Sequence, residues 1–136
     1  MKSVAFFLAL LCALIIGSVS QASNTARKQS AVHEFDRATV LQGVTLKGTY
    51  LFVHDDAAMQ RGEACSYVYE GTAPVAKKLV ASFHCVPVQR TAVKYFTIRS
   101  VETSPGVVEL QEYQFGGDTE GHAVPTSMDQ HIPLHN

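Results

Sequence analysis

The 136-residue chain has no tryptophan and only three cysteines. Without tryptophan, any aromatic platform for a sugar or peptide must be built from five tyrosines and seven phenylalanines. A basic excess is also missing: 11 Lys and Arg stand against 12 Asp and Glu, a formal net charge of −1. Nucleic acid is therefore not an expected partner, because its phosphates call for a basic face. No Gly-x-Ser-x-Gly elbow and no repeat of fixed period occurs. Apart from the N-terminal run there is no long apolar stretch, so no membrane span is expected in the mature chain.

That single run follows Met1-Lys2 and extends from Val4 to Ile16, with Gly17-Ser18-Val19-Ser20-Gln21-Ala22 after it. A positive start, a short apolar core and small residues before a cut are the form of a secretory signal peptide. Ser20 and Ala22 place cleavage after Ala22. An acylated Cys12 is a weaker alternative, since Leu11 precedes it where a small residue is wanted. The expected organisation is a signal peptide over residues 1–22, a disordered leader over 23–30, one β-domain over 31–125 and a flexible tail over 126–136. The protein is expected to be secreted or periplasmic.

Beyond the leader, short β-rich runs alternate with turn residues. Two extended pieces meet near Gln42-Gly43, and Lys47-Gly48 reads as a further turn. Thr49 to His54 is strand, because five of its six residues are β-branched or bulky and apolar. Asp55 or Asp56 can cap one helical turn through Ala57, Ala58 and Met59, closed by Gly62. Lys94–Val101 and Val107–Phe115 flank Pro105-Gly106, a turn pair. That hairpin pairs Ile98 with Tyr113 and sets Glu102 against Glu109 unless a bulge intervenes. Residues 116–125 read as loop. The sum is an all-β fold, an antiparallel β-sandwich or small barrel of six to seven strands with at most one short helical turn.

The central hairpin runs from Cys65 to Cys85. With Cys65 opposite Cys85, Tyr67 pairs with Phe83 and Tyr69 with Ala81, on one buried face. Setting Cys12 aside leaves two cysteines in an exported chain, which predicts a Cys65–Cys85 disulfide. Such a bridge stabilises by roughly 3 kcal/mol.

The stretch Phe35-Asp36-Arg37-Ala38-Thr39-Val40-Leu41-Gln42-Gly43-Val44-Thr45-Leu46-Lys47-Gly48-Thr49-Tyr50-Leu51-Phe52 resembles small exported bacterial proteins of acidobacterial type. These share a Leu-x-Gly-Thr-Tyr hairpin after a Phe-Asp start and have no established activity. The resemblance covers eighteen residues and implies export and a β-fold, with no functional residue carried over.

Three chemistries have candidate residues. His54, Met59, Cys65, His84, Cys85 and His122 supply ligand types that suit copper or zinc, with His54, His84 and His122 as the ligand set. Their spacing matches no metal motif, and oxidised cysteines cannot ligate as thiolates. Acid–base work has Asp55, Asp56, Asp118 and Glu120, with a small hydrolase at the Asp118–His122 loop as one reading. Tyr50, Tyr67 and Tyr69 are candidates for a ligand surface. The sequence points first to a non-catalytic binding or structural module without a cofactor. A periplasmic copper- or zinc-binding protein and a hydrolase are the alternatives.

Overall fold

A computed structural model of the chain describes residues 26–126. The expected signal peptide and the tail from residue 127 onward lie outside the described residues. Eight strands follow in order: β1 (Lys28–Leu41), β2 (Val44–Asp55), β3 (Ser66–Glu70), β4 (Leu79–Phe83), β5 (Val86–Gln89), β6 (Thr97–Ser104), β7 (Val107–Gln114) and β8 (Glu120–Ala123). One short helix, α1 (Asp56–Gln60), and one 3-10 turn (Ala76–Lys78) complete them. The all-β class read from the sequence is what the chain adopts. No helix among the described residues is long and apolar enough to cross a membrane.

All eight strands belong to one sheet, ordered β4-β3-β2-β1-β7-β8-β5, with β6 also on β7. The sheet curls into a half-barrel, nearer the expected small barrel than two stacked sheets. β1 and β2 form the long central hairpin, turned at Gln42 and Gly43, whose φ values of 47° and 81° suit a two-residue hairpin turn. The pairings are antiparallel except where Thr39 and Val40 of β1 meet Val108 and Glu109 of β7 in parallel. Beside them on the same edge of β7, Glu112–Gln114 pair with β8.

Alternation along β2 sorts its side chains between two faces. Leu46, Tyr50, Phe52 and His54 point inward, and Leu51 and Val53 point outward. The inner face packs Phe35, Tyr50, Phe52, Val68, Phe83, Leu110, Tyr113 and Phe115 into one cluster. Phe52 and Phe96 lie 5.3 Å apart between ring centroids, and Phe52 and Tyr113 5.5 Å apart, within the range of favourable aromatic contact. A bulge in β7 makes this core possible. Arg99 pairs with Glu112 but Ser100 pairs with Leu110, so Gln111 is skipped. The skipped residue reverses the alternation and brings both Leu110 and Tyr113 inward. It also moves Glu102 off Glu109, to face Val108, and so relieves the like-charge pair the plain register would create.

Several local expectations are corrected. β1 begins at Lys28, so three residues of the expected leader are strand. Lys47-Gly48 does not turn the chain. Gly48, at φ 87°, sits inside β2 beside an irregularity in the β1 register. Residues 86–89 do not extend the central hairpin. The chain leaves β4 at Phe83, and β5 pairs with β8, in the stretch expected to be loop. That stretch has few β-formers, and its strand exists because β5 and β7 supply a ladder on each side. In the central hairpin Ser66 pairs with Phe83 and Tyr67 with Ser82, one residue out of the expected register. A one-residue slip exchanges the faces. Ser66 and Val68 are buried, and Tyr67 and Tyr69 stand half-exposed on the outer face.

Candidate metal centre

The curled sheet closes where four pieces of chain meet: the end of β2, the start of β3, the β4–β5 crossover and β8. His54 arrives there because it shares the inward parity of Tyr50 and Phe52. His122 arrives as the cross-strand partner of Tyr113, and the two rings stack at 4.8 Å with 22° between their planes. Cys85 sits in the crossover, two residues beyond the inward Phe83. Ligand atoms of His54, Cys85 and His122 all lie within 4.8 Å of one another. The two imidazoles face each other at 4.1 Å between centroids, and both are 0 % exposed.

Of the three histidines expected to form a metal set, the structure brings two together. His84 is exposed and outside the group, because it is the outward neighbour of Cys85 in an extended segment. Cys85 takes its place. The expected Cys65–Cys85 disulfide is not at bonding distance: the two buried residues place their Sγ atoms 3.1 Å apart against the ~2.05 Å of a disulfide bond. They still meet because each lies just beyond a strand end, off the regular ladder. The Cys85 amide donates to Cys65 Sγ at 3.3 Å, and Cys85 Sγ is 3.6 Å from His122 Nδ1.

The group is electrically quiet. Burial pushes the Cys85 thiol up to about 12, with the hydrogen bond to Cys65 adding to it. Burial also drives the His122 pKa down to about 4, helped by the neighbouring His54. The His54 pKa is lowered for the same first reason, against the pull of Asp56. All three are therefore uncharged at neutral pH, as a low-dielectric site favours.

Hydrogen bonding is incomplete. His54 Nδ1, His54 Nε2 and His122 Nε2 are buried without a hydrogen-bond partner in the protein. His54 Nδ1 is 3.2 Å from Asp56 Oδ1, but off the line a hydrogen bond needs. Each unsatisfied buried polar atom costs about 1–3 kcal/mol. Gln29 Oε1, beside His54 in the β1–β2 ladder, is also buried without a partner, whereas other polar groups nearby are satisfied. Ser66 and Tyr113 join their hydroxyls by a hydrogen bond. Glu112 is held by Arg90 at 2.6 Å and Arg99 at 2.9 Å, which lowers its pKa.

No known protein family, curated protein or solved structure matches the chain. The site therefore has to be judged on its own chemistry. Two imidazoles and one thiol are the donors that copper and zinc prefer. For bonds of 2.0–2.3 Å, ligand atoms around a tetrahedral ion stand ~3.3–3.8 Å apart. A contraction of about 1 Å from the 4.8 Å limit would close the group on an ion. Asp56, Asp118 and Glu120 stand at the rim. Arg27 bridges the first two, at 3.6 Å and 3.3 Å.

The other candidates are occupied differently. Asp55 caps α1, accepting from the amides of Ala57 and Ala58. Burial pushes the Asp118 pKa up, but hydrogen bonds from Gln29 and the Glu120 amide and the charge of Arg27 outweigh it, and the net direction is down. Burial and Asp118 push Glu120 up. The two carboxylates are thus driven apart as a catalytic pair would be, yet neither lines the outer-face groove. Met59 is partly exposed on α1 and outside the group. Tyr50 is buried in the core rather than presented to a ligand. Tyr67 and Tyr69 line a groove of about 610 Å³ on the outer face with Leu51, Val53, Lys28 and Thr72.

Proposed function

We propose that the protein is an exported transition-metal-binding protein that takes copper or zinc through His54, His122 and Cys85. One observation carries this reading: three ligand-type side chains converge in a buried seam where three of the four imidazole nitrogens lack hydrogen-bond partners in the protein. A fold that hydrogen-bonds Ser66, Tyr113, Glu112 and Gln114 tolerates orphaned nitrogens when a ligand satisfies them. The metal would displace the Cys85 proton and meet neutral imidazoles, that of His122 already oriented by stacking on Tyr113. The acidic rim raises the local cation concentration. Export follows from the expected signal peptide and from the resemblance over Phe35–Phe52.

Competition of the reduced protein with a chromogenic chelator tests it. One equivalent of zinc(II) or copper(I) should be withdrawn from the chelator, and His54→Ala or His122→Ala should abolish the withdrawal. No uptake by the reduced wild-type protein would end this reading.

A second reading is favoured by the 3.1 Å sulfur separation. Here a Cys65–Cys85 disulfide clamps an exported binding or structural module, and the imidazoles are core. Zinc uptake after treatment with a dithiol reductant separates the two: one equivalent taken up supports the metal centre, and none supports the clamp.

A further inference from the structure

We propose that Cys85 is shared between two exclusive partners, so that oxidation of the Cys65–Cys85 pair switches the metal centre off. This inference rests on the metal-binding reading. Its geometry is the position of one sulfur: Cys85 Sγ belongs to the His54/His122 group and is also 3.1 Å from Cys65 Sγ. Cys65 is not a member of the ligand group. It is placed to take Cys85 away from it.

The fold holds both alternatives ready. The Cys85 amide donates to Cys65 Sγ, which keeps that sulfur beside the crossover. Phe83 fixes the chain two residues earlier, and its carbonyl accepts from the Cys65 amide at 3.2 Å. An approach of about 1 Å brings the sulfurs to bonding distance. A sulfur bonded to sulfur has no thiolate charge to offer an ion. With Cys85 withdrawn, two imidazoles remain, too few to hold zinc in a closed site.

A small peroxide is the class of oxidant that suits a buried pair. The Cys85 sulfur attacks one peroxide oxygen, the O–O bond breaks, and the products are a sulfenic acid and water. Cys65 sulfur then attacks the sulfenic sulfur, its own proton leaves with the hydroxyl, and a second water departs. Two thiols lose two electrons and two protons, and the peroxide takes up both. The first attack is assigned to Cys85, the less enclosed of the two buried residues at 8 % exposure against 1 % for Cys65, and burial makes that attack slow. A bound ion occupies the same sulfur and blocks that first attack.

The test uses zinc(II), which takes no part in the electron transfer. Reduced protein is treated with hydrogen peroxide, the excess is removed, and intact mass and zinc affinity are measured. The expected mass falls by ~2 Da, one disulfide, and zinc affinity falls by at least ~100-fold. A dithiol reductant restores both, and protein loaded with zinc beforehand loses its thiols far more slowly. Cys65→Ser in the reduced state should bind zinc within about threefold of wild type, whereas Cys85→Ser should lose at least ~100-fold. Circular dichroism confirms that both variants are folded, and the wild-type measurements need neither.

Oxidised wild type that keeps its zinc overturns the switch and leaves the metal centre standing. So does peroxide that adds oxygen to the mass without forming the bridge. Equal zinc loss in Cys65→Ser and Cys85→Ser makes Cys65 a ligand and overturns the sharing. Reduced wild type that binds no zinc overturns the metal centre, and the switch falls with it.

Discussion

The two faces of β2 carry two concave regions with opposite habits. On the outer face, Leu51 and Val53 sit under Tyr67 and Tyr69, in a groove that sequence reasoning would pick as a binding surface. Three of its polar side chains are already engaged. The Tyr67 hydroxyl donates to the Ala64 carbonyl, Asp55 caps α1 and Lys28 stands 4.0 Å from Asp55. On the inner face, one residue along the strand, His54 enters a seam where imidazole nitrogens are left over. The contrast teaches that aromatic area is a poor guide to a site here. Buried donors and acceptors without protein partners point more directly to a ligand, because the fold loses stability by keeping them.

Loading the seam should change stability most. At a thousandfold excess of zinc over its dissociation constant, reduced protein should gain about 4 kcal/mol, read as a rise in unfolding midpoint. Ligands offered to the outer groove should leave that increment unchanged. An equal zinc effect in His122→Ala would erase the distinction between the two faces.

A slightly smaller loss is expected from Gly121→Ala. A Cβ at Gly121 would lie 2.1 Å from Glu112 Oε1, with no room to coexist. Glu112 would be pushed from Arg90 and Arg99 and the β7–β8 ladder would open beside His122. The expected cost is about 3 kcal/mol, that of breaking a buried ion pair, measured by urea unfolding. A cost below about 1 kcal/mol would mean that Glu112 repacks freely.

Acid should discriminate the faces next. The folded His122 pKa, about 4, lies below its ordinary 6.5, and His54 is lowered in the same direction. Between those values the unfolded chain binds more protons than the native one. Metal-free stability is therefore complete above pH 6.5 and falls as pH drops toward 4, by at most ~1.4 kcal/mol per pH unit for each histidine. His122→Phe should flatten the profile, and Tyr67→Phe should not. A flat wild-type profile would show that the imidazoles are not held neutral.

The remaining effects are small and of opposite sign. His54→Leu removes two orphaned nitrogens and should raise metal-free stability by about 1 kcal/mol while abolishing metal uptake. Tyr67→Phe deletes a satisfied hydroxyl and should lower stability by about 1 kcal/mol or less. Chemical denaturation of both variants checks the pair. A destabilised His54→Leu would mean that its ring is satisfied after all.

How far these features were legible in the sequence follows from which physics each one obeys. Turn chemistry and strand composition are local, so the Gln42-Gly43 and Pro105-Gly106 hairpins, an aspartate cap at Asp55 or Asp56 and the β class could be read directly. β8 could not, because Glu120-Gly121-His122-Ala123 is a strand only through neighbours remote in sequence. The central register failed by one residue because two cysteines were assumed to face each other within a ladder that ends before either. That slip placed Tyr67 and Tyr69 inside, and the assumed bridge removed Cys85 from the ligand set. The alternation that separates exposed His84 from buried Cys85 was visible, and combined with the inward Phe83 it points to Cys85 rather than His84. Convergence of His54 with His122 depends on the curl of the sheet, which no local pattern encodes.

Absorption spectra of the reduced protein titrated with cobalt(II) test the central claim most directly. Two imidazoles and the Cys85 thiolate around one ion predict a sulfur-to-cobalt charge-transfer band in the near ultraviolet. Intense visible bands of low-coordinate cobalt should accompany it, all saturating at one equivalent and absent in Cys85→Ser. A weak, pink, octahedral spectrum without the sulfur band would contradict the account, leaving His54, His122 and Cys85 as core residues alone.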